Sequence, residues 1–503
     1  MDLEQKVCDR ARLARDARFD GRFFIAVLST GIYCRPICPS PHARSENVRY
    51  FHTGDEAVAA GYRACRRCRP EAAPGTPAWK GTSATVSRAL RLIVQGRLQE
   101  ESLVALARRL GVSARHLDRL FRAHLGTSPS GVARTWRLNF AKQLLRDTDL
   151  PMSDVALTAG FRTVRRFNAS MRGLCGRTPS ELRRLRGAAP HARQDEYVFR
   201  LPYRAPYDWK SLLEFFAARA APGVEEVVSG AYRRTFAQEG RHGILEVRHA
   251  EGSSALELRV RFSEPLSLLP IVTRVREMFD VETEVSAIVQ DLREDALLRP
   301  LVKMLPGLRL PGAWDPFELS VRAVLGQGLS AADEAARTGL LAQAFGERLA
   351  LSDEGGLTDV FPGPEALVNA RFDGLPPARA DAIRTLAAAA ADGFFERAES
   401  DEDCLAALAR IGGIGSGTAQ YVALRGFHHP DAFPSEDPIL RRAVSGAKTC
   451  SGAALAAIAE RWRPWRGYAA VYLWSAAEAA SRLDRARAGS DRESPAQPAA
   501  VLS

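Results

Sequence analysis

The chain has 503 residues, 46% of them hydrophobic and 26% charged, with a formal net charge of +11; at roughly 150 residues per domain this predicts three or four soluble globular domains. Eight cysteines are too few for a disulfide-stapled scaffold. No apolar run of about 18 residues and no signal-peptide pattern occurs, so a cytoplasmic protein without membrane spans is expected.

Charge is unevenly distributed along the chain. Residues 1–190 hold 34 Lys and Arg against 16 Asp and Glu, which leaves 36 against 43 in the remainder. A basic surface gains affinity for nucleic acid by releasing counterions from phosphates, so the N-terminal part is the expected DNA-facing part. Two stretches rich in Pro, Gly, Ala and polar residues, Pro70–Gly81 and Gly187–Asp195, read as linkers. The expected domains are 1–75, 82–186, 196–300 and 301–483, followed by a polar, disordered tail at 484–503. The expected class is a multidomain chain. It starts with a small zinc-binding α/β module and an all-α double helix-turn-helix, continues with an α+β domain built on an antiparallel sheet, and ends in an all-α domain.

In chain order, the first chemical signal is a cysteine quartet. Cys34 and Cys38 form CxxxC, Cys65 and Cys68 form CxxC, and twenty-six residues separate the pairs. Two close pairs of thiolates suit one tetrahedral Zn2+ ion, and a purely structural zinc is the commonest role for such a set. The surrounding residues, GIYCRPICPSPHARSENVRYF and AAGYRACRRCRPE, resemble the N-terminal domain of the Ada methyl-transfer proteins over about residues 3–71. That resemblance implies a zinc site of Cys34, Cys38, Cys65 and Cys68, with Cys34 accepting a methyl group from a methylphosphotriester in DNA. Zinc with four thiolates carries a formal charge of −2, and methylation of one sulfur makes it −1. Repulsion from DNA falls accordingly, so methylated protein is expected to bind DNA more tightly.

Residues 82–186 contain a weak internal repeat. Leu103–Leu110 has helical spacing, Gly111 supplies a turn, and Ser113 can cap a second helix running to about His124, before GTSPS. About fifty residues later Val155 and Ala156 are followed by Gly160, a basic helix to about Leu174, and GRTPS. The pattern resembles AraC-type DNA-binding domains. By that resemblance the second helix of each unit enters the major groove, with Arg115, His116 and Arg119 in the first unit and Arg162, Arg165 and Arg166 in the second as the candidate contacts. Two units on one chain suit successive major-groove faces without dimerisation, and a monomer is expected.

Between Tyr197 and Val289 short runs such as GILEVRHA and ALELRVRF alternate apolar and polar residues, the period-two signal of strands. From Leu301 the chain becomes Ala- and Leu-rich with helical spacing. Gly412, Gly413 and Gly415 lie in LARIGGIGSGTAQYVALRGF, a tight turn between helices whose backbone N–H groups can hold a DNA phosphate. Asp437 follows twenty-two residues after Gly415, and RWRPWRGYAAVYLWS comes next. This order, with PYDWKSLLEFFAARA and LRLPGAWDPFELSVRAVLGQ upstream, resembles the AlkA branch of helix-hairpin-helix DNA glycosylases over about residues 197–480.

The AlkA resemblance implies that Asp437 is the catalytic carboxylate, that Tyr421 and Trp474 line the substrate pocket, and that 3-methyladenine-type purines in double-stranded DNA are the substrate. Trp462, Trp465 and Tyr468 are expected in the core. Two positions depart from the family pattern. Gly417 stands where relatives carry a pocket Trp or a lyase Lys, so no Schiff base can form there and a monofunctional glycosylase is expected. Gly328 stands where a Leu wedge is usual, with Leu329 the expected substitute. The chain is thus expected to combine a zinc methyl acceptor, a DNA-binding regulator of promoter or damaged DNA, and an alkylpurine glycosylase. The alternative is a regulator whose C-terminal half recognises damage without excising it.

Overall fold

The structure is a computed structural model that describes residues 5–13, 23–36, 38, 40–51, 57, 60–65, 82–94, 96, 98, 101–185, 195–283, 285–353, 355–397, 405, 407–445 and 450–490. It divides into two compact units. One comprises Met1–Leu138 with Arg397–Cys404, and the other Asn139–Glu396 with Leu405–Ser503.

The first unit opens with helix α1 (Gln5–Leu13) and a four-stranded sheet of β1 (Phe24–Val27), β2 (Ile32–Cys34), β3 (Val48–Phe51) and β4 (Arg63–Ala64), in the order β3-β1-β2-β4. β1 pairs antiparallel with β2 and β3, whereas β2 pairs parallel with β4. Arg12, only 4% exposed, ties α1 to the sheet region. Its guanidinium donates to Tyr50 Oη at 3.1 Å, Ala43 O at 2.8 Å, Ser45 Oγ at 3.0 Å and Asp9 Oδ1 at 3.1 Å, so a buried charge is left with partners.

Helices α2 (Thr82–Val94), α3 (Leu103–Arg109) and α4 (Ala114–Leu125) follow, and α5 (Pro129–Asp147) starts in this unit. Val86, Leu106, Leu117, Phe121 and Ala133 form their shared core. Gly111, at φ +68°, makes the turn between α3 and α4, a left-handed conformation that an L side chain resists.

The second unit continues from Asn139 in α5 to α6 (Met152–Thr158) and α7 (Val164–Cys175). The repeat seen in the sequence is a repeat in space. Ser113 Oγ accepts from His116 N at 3.2 Å and Thr163 Oγ1 from Arg166 N at 3.2 Å, so both second helices have the same cap. Gly126 (φ +68°) and Gly176 (φ +64°) end them alike.

Next comes a five-stranded, fully antiparallel sheet in the order β5-β9-β8-β7-β6, built from β5 (Glu196–Pro202), β6 (Glu225–Val228), β7 (Ala231–Gln238), β8 (Arg241–His249) and β9 (Ala255–Arg261). In β5 and β9 burial alternates with the pleat, as the period-two sequence pattern requires. Helix α8 (Trp209–Ala217) buries Leu212, Phe215 and Phe216, the i, i+3, i+4 stripe of an amphipathic helix.

The remaining chain is chiefly helical, including α9 (Leu268–Met278), α10 (Pro316–Leu325), α11 (Ala331–Phe345), α12 (Pro377–Ala391), α13 (Ser416–Gly426), α14 (Pro438–Ser445), α15 (Gly452–Ala459) and α16 (Arg466–Ser490). Two features differ from an all-α expectation with a tail from residue 484. Glu347–Arg348 pairs antiparallel with Asp359–Val360, and Thr235 Oγ1 on β7 donates to Asp359 O at 2.7 Å, so this long connection satisfies its backbone by pairing. Helix α16 runs past Leu483 to Ser490, because Ala and Arg favour helix even without an apolar stripe.

A buried ion network joins the sheet to α10. Arg234 Nη2 meets Glu318 Oε2 at 2.7 Å, Arg322 Nη1 meets Glu225 Oε2 at 2.6 Å, and Arg322 Nε meets Glu334 Oε1 at 2.8 Å. The two guanidiniums hold Glu225 down at about 2 against its own desolvation, while burial and the nearby Glu225 charge raise Glu318. Helix α10, which carries the Gln327 loop at its end, is thereby fixed to the sheet.

Candidate functional site

The zinc ligands are assembled by strand register. Tyr33 on β2 pairs with Ala64 on β4, and Cys65 N donates to Tyr33 O at 3.0 Å, which brings Cys65 beside Cys34. Cys38 N donates to Arg35 O at 3.1 Å, closing a tight turn that returns the third cysteine to the same place. The thiol sulfurs of Cys34, Cys38 and Cys65 all lie within 4.8 Å of one another, and Cys38 Sγ stands 3.9 Å from Cys65 Sγ. A tetrahedral ion with zinc–sulfur bonds of about 2.3 Å requires sulfurs about 3.8 Å apart, so Cys38 and Cys65 already stand at the spacing zinc needs and Cys34 lies close to it. Cys68, the expected fourth ligand, lies outside the described residues.

On the two capped helices, Arg115 and Arg119 of α4 are exposed and His116 is half-buried, with Arg119 Nη2 2.8 Å from His116 Nδ1. In the second pair Arg162, Arg165 and Arg166 are all exposed. Leu117 and Phe121 of α4, and Phe167 and Met171 of α7, are fully buried, so each helix turns its apolar side inward and its basic residues outward.

The glycine turn lies before α13. Gly413 has φ +88°, and a Cβ there would come within 3.0 Å of Ala382 Cβ, so both the backbone and the packing demand glycine. Gly412, Gly413 and Gly415 are exposed, and among the described residues their N–H groups donate to no backbone acceptor outside regular helices and strands. Ile414 anchors the turn from within, at 5% exposure. Gln327 Nε2 donates to Gly413 O at 2.8 Å, and Arg379 Nη2 donates to Gln327 O at 2.7 Å. The next residue, Gly328, is exposed with φ +74°, and Leu329 is half-buried directly before the Ser330 cap of α11.

Asp437 caps α14, its Oδ1 accepting from Ile439 N at 2.8 Å and Leu440 N at 2.9 Å. Burial raises its carboxyl above the usual range. The two amides, a hydrogen bond from Trp474 and the charge of Arg219 pull in the opposite direction and do not fully compensate. Trp474 is 3% exposed, so it offers no open face, and its side chain hydrogen-bonds the Asp437 carboxylate. Its ring meets Tyr421 edge to face, centroids 6.0 Å apart. Tyr421 is half-buried, and its hydroxyl accepts from Arg425 Nη1. Arg425 is fixed in turn by Pro311 O at 2.9 Å and Gly312 O at 3.0 Å. Trp462 and Tyr468 are buried, and Trp465 donates to Asp291 Oδ2 at 3.0 Å.

The arrangement therefore brings Asp437, Tyr421 and Trp474 together. Sequence reasoning missed Arg219, Arg425 and Gln327. Arg219 bonds Glu478 at 3.0 Å and stacks on Phe215 with its guanidinium carbon 3.7 Å from the ring centre. Arg219, Gln327 and Arg425 each lie within a motif quoted above, which was the available signal; which group Arg219 acts on is set only by the fold.

Residues 7–71 match the metal binding domain of Ada, residues 106–185 a helix-turn-helix domain, and residues 198–315 the AlkA N-terminal domain. The chain is 38% identical over 482 residues, 94% of its length, to a Mycobacterium tuberculosis protein described as "Probable bifunctional transcriptional activator/DNA repair enzyme AlkA", covering 96% of that protein. It is 33% identical over 285 residues to DNA-3-methyladenine glycosylase 2 of Escherichia coli, across 55% of this chain and 96% of that one. Among solved structures, a 3-methyladenine DNA-glycosylase from Archaeoglobus fulgidus superposes with a TM-score of 0.50 at 22% identity, over 56% of this chain and 98% of that one, a likeness of fold.

Proposed function

Since the chain belongs to the family of bifunctional transcriptional activator/DNA repair enzymes that the Mycobacterium tuberculosis AlkA protein represents, we propose that it repairs alkylated DNA by two chemistries and reports the damage to transcription. Its two chemistries are methyl transfer from DNA to a zinc-held cysteine and hydrolytic release of alkylated purines of the 3-methyladenine type. The observation that carries the second is Asp437, a desolvated carboxylate oriented by the α14 amides and Trp474.

Cleaving the bond between sugar and damaged purine develops positive charge on the sugar. A carboxylate held in place before the reaction stabilises that charge without paying for reorganisation of solvent. The base must first leave the duplex stack, and the glycine turn holds the adjacent backbone while it does so. Tyr421, stiffened by Arg425 and Trp474, offers an electron-rich ring beside the carboxylate, and a cationic purine is drawn to it by about 0.5–2 kcal/mol. Gly417 has no amine, so the reaction is base removal without strand cleavage.

In the N-terminal module Cys34, Cys38 and Cys65, with Cys68, would hold one zinc ion, which when bound keeps the thiols deprotonated at neutral pH. The Cys34 sulfur attacks the methyl carbon of a methylphosphotriester. The new S–CH3 bond forms as the O–CH3 bond breaks, and a phosphodiester anion leaves. A thioether has no easy return, so each chain acts once. The exposed arginines of α4 and α7 place the protein on damaged and promoter DNA through the major groove.

Release of free 3-methyladenine from methylated duplex DNA by the wild-type chain, with Asp437→Asn as control, tests the glycosylase. A wild-type chain no better than the variant would leave only the regulator. Mass spectrometry after exposure to phosphotriester DNA should place a single methyl on Cys34, and methyl on none of the four cysteines would reduce the zinc to a structural role.

A further inference from the structure

Gly417 is the second residue of α13, one turn before Tyr421 and on the same side of the helix. A base held against Tyr421 and Asp437 lies along that side, where Gly417 contributes no side chain. The space is occupied from across the site. A Cβ built on Gly417 would stand 3.0 Å from Glu436 Cβ and 3.7 Å from its Cγ. A Cβ built on Gly452, the first residue of α15, would overlap the Glu436 carboxylate, with Oε1 at 1.9 Å. Glu436 is thus seated between two glycines, directly before the residue that faces the sugar. It is exposed, and among the described residues its carboxylate has no hydrogen bond and no ion-pair partner. A side chain at either position would meet Glu436, so the two glycines leave the room that Glu436 fills.

We propose that Glu436 is a specificity-determining residue of the glycosylase, a carboxylate wall that favours alkylpurines carrying a full positive charge over neutral damaged bases. The inference rests on the base-excision activity proposed above. A purine nucleotide alkylated at N3 or N7 is cationic until the glycosidic bond breaks, when the charge passes to the sugar. Glu436 therefore acts on capture of the flipped base and Asp437 on the bond cleavage itself. One exposed carboxylate near a unit positive charge favours the cation about tenfold, equivalent to about 1.4 kcal/mol.

The test uses the full chain at limiting concentration, where rates report capture as well as cleavage, on duplexes holding one 7-methylguanine (cationic) or one hypoxanthine (neutral). Glu436→Gln keeps the size of the side chain and removes its charge. The ratio of 7-methylguanine to hypoxanthine release should fall about tenfold, and raising salt should shrink the ratio for the wild type but not for the variant. A ratio unchanged by Glu436→Gln would overturn the carboxylate wall while leaving base excision standing. Failure of the wild type to release either base would overturn both. As a check on the seat, Gly417→Ala should lower the melting temperature, and adding Glu436→Gly should restore it; no restoration would overturn the packing on which the wall depends.

Discussion

Replacing Asp437 by Asn separates the chemistry of the site from its architecture. Asparagine keeps the oxygen that accepts from Ile439 N and Leu440 N, so the cap on α14 survives. What disappears is the charge. A carboxylate facing a cationic sugar at about 4 Å in a partly desolvated site, with an effective dielectric of about 20, contributes about 4 kcal/mol. Excision should therefore slow by about 1,000-fold, since each 1.36 kcal/mol is roughly a factor of ten. Stability should move the other way. Burial raises the Asp437 carboxyl, so the folded chain binds its proton more tightly than the unfolded chain, and ionisation costs stability as the pH rises through the raised value. The neutral amide escapes that cost, so the variant should melt at an equal or higher temperature. Wild-type excision should fall as the pH is lowered through a value above the ordinary aspartate range. Single-turnover release of 3-methyladenine and thermal melting, measured on one preparation, decide the matter. Retention of activity within tenfold, or a loss of activity accompanied by a drop in melting temperature of more than about 4 °C, would refute the assignment.

Three further outcomes are expected. Cys38→Ser should reduce zinc from one ion per chain to none in metal analysis and abolish methyl transfer to Cys34, because the thiolates fold around the metal. Glu225→Gln should cost about 3–5 kcal/mol in chemical denaturation, since it leaves Arg322 and Arg234 under-compensated in the interior, whereas Glu318→Gln should cost much less because its carboxyl is already raised. The Glu225 contribution is present above the ordinary carboxylate range and is lost only as the pH falls toward about 2, and equal losses in the two variants would contradict this division. Gln327→Ala removes one hydrogen bond, worth about 1 kcal/mol, that holds the glycine turn, so affinity for an abasic-site duplex should weaken about fivefold in fluorescence anisotropy while the melting temperature falls by no more than about 4 °C.

Residues whose chemistry depends on short spacing could be found in the sequence. Cys34 and Cys38 are brought together by one turn, and Gly412, Gly413 and Gly415 act within a single loop, so local sequence contains most of their geometry. The cap Ser113 was legible for the same reason, and Thr163 repeats it in the second unit. Arg219 was not, because its effect on Asp437 crosses more than two hundred residues of chain and only the completed fold places it there. The same holds for Glu225, Arg234 and Glu318, which look like ordinary surface charges in an alternating strand or an amphipathic helix and are buried in a network with the partly buried Arg322. Glu436 was hidden differently. The sequence shows that Gly417 lacks a side chain, but not which residue occupies the space it leaves.

The two chemistries face the same electrostatic obstacle and meet it by different means. Four zinc-bound thiolates would carry a formal −2 and Asp437 carries −1, yet both must work beside a polyanion. The methyl acceptor lies in the half of the chain where 34 basic residues outnumber 16 acidic ones, so a favourable field surrounds it. The glycosylase lies in the half with 36 basic and 43 acidic residues, where the mean field does not draw DNA in. On the function proposed above, its hold on DNA comes from short-range dipoles such as the exposed amides of Gly412, Gly413 and Gly415, which act only after contact. Joining the two halves in one chain resolves this, because a basic partner bound nearby raises the local concentration of DNA at the excision site to the millimolar range that a short linker provides. Fusion therefore lets the glycosylase keep the carboxylates that its chemistry and lesion choice require, while attraction to DNA is supplied from the other half of the chain.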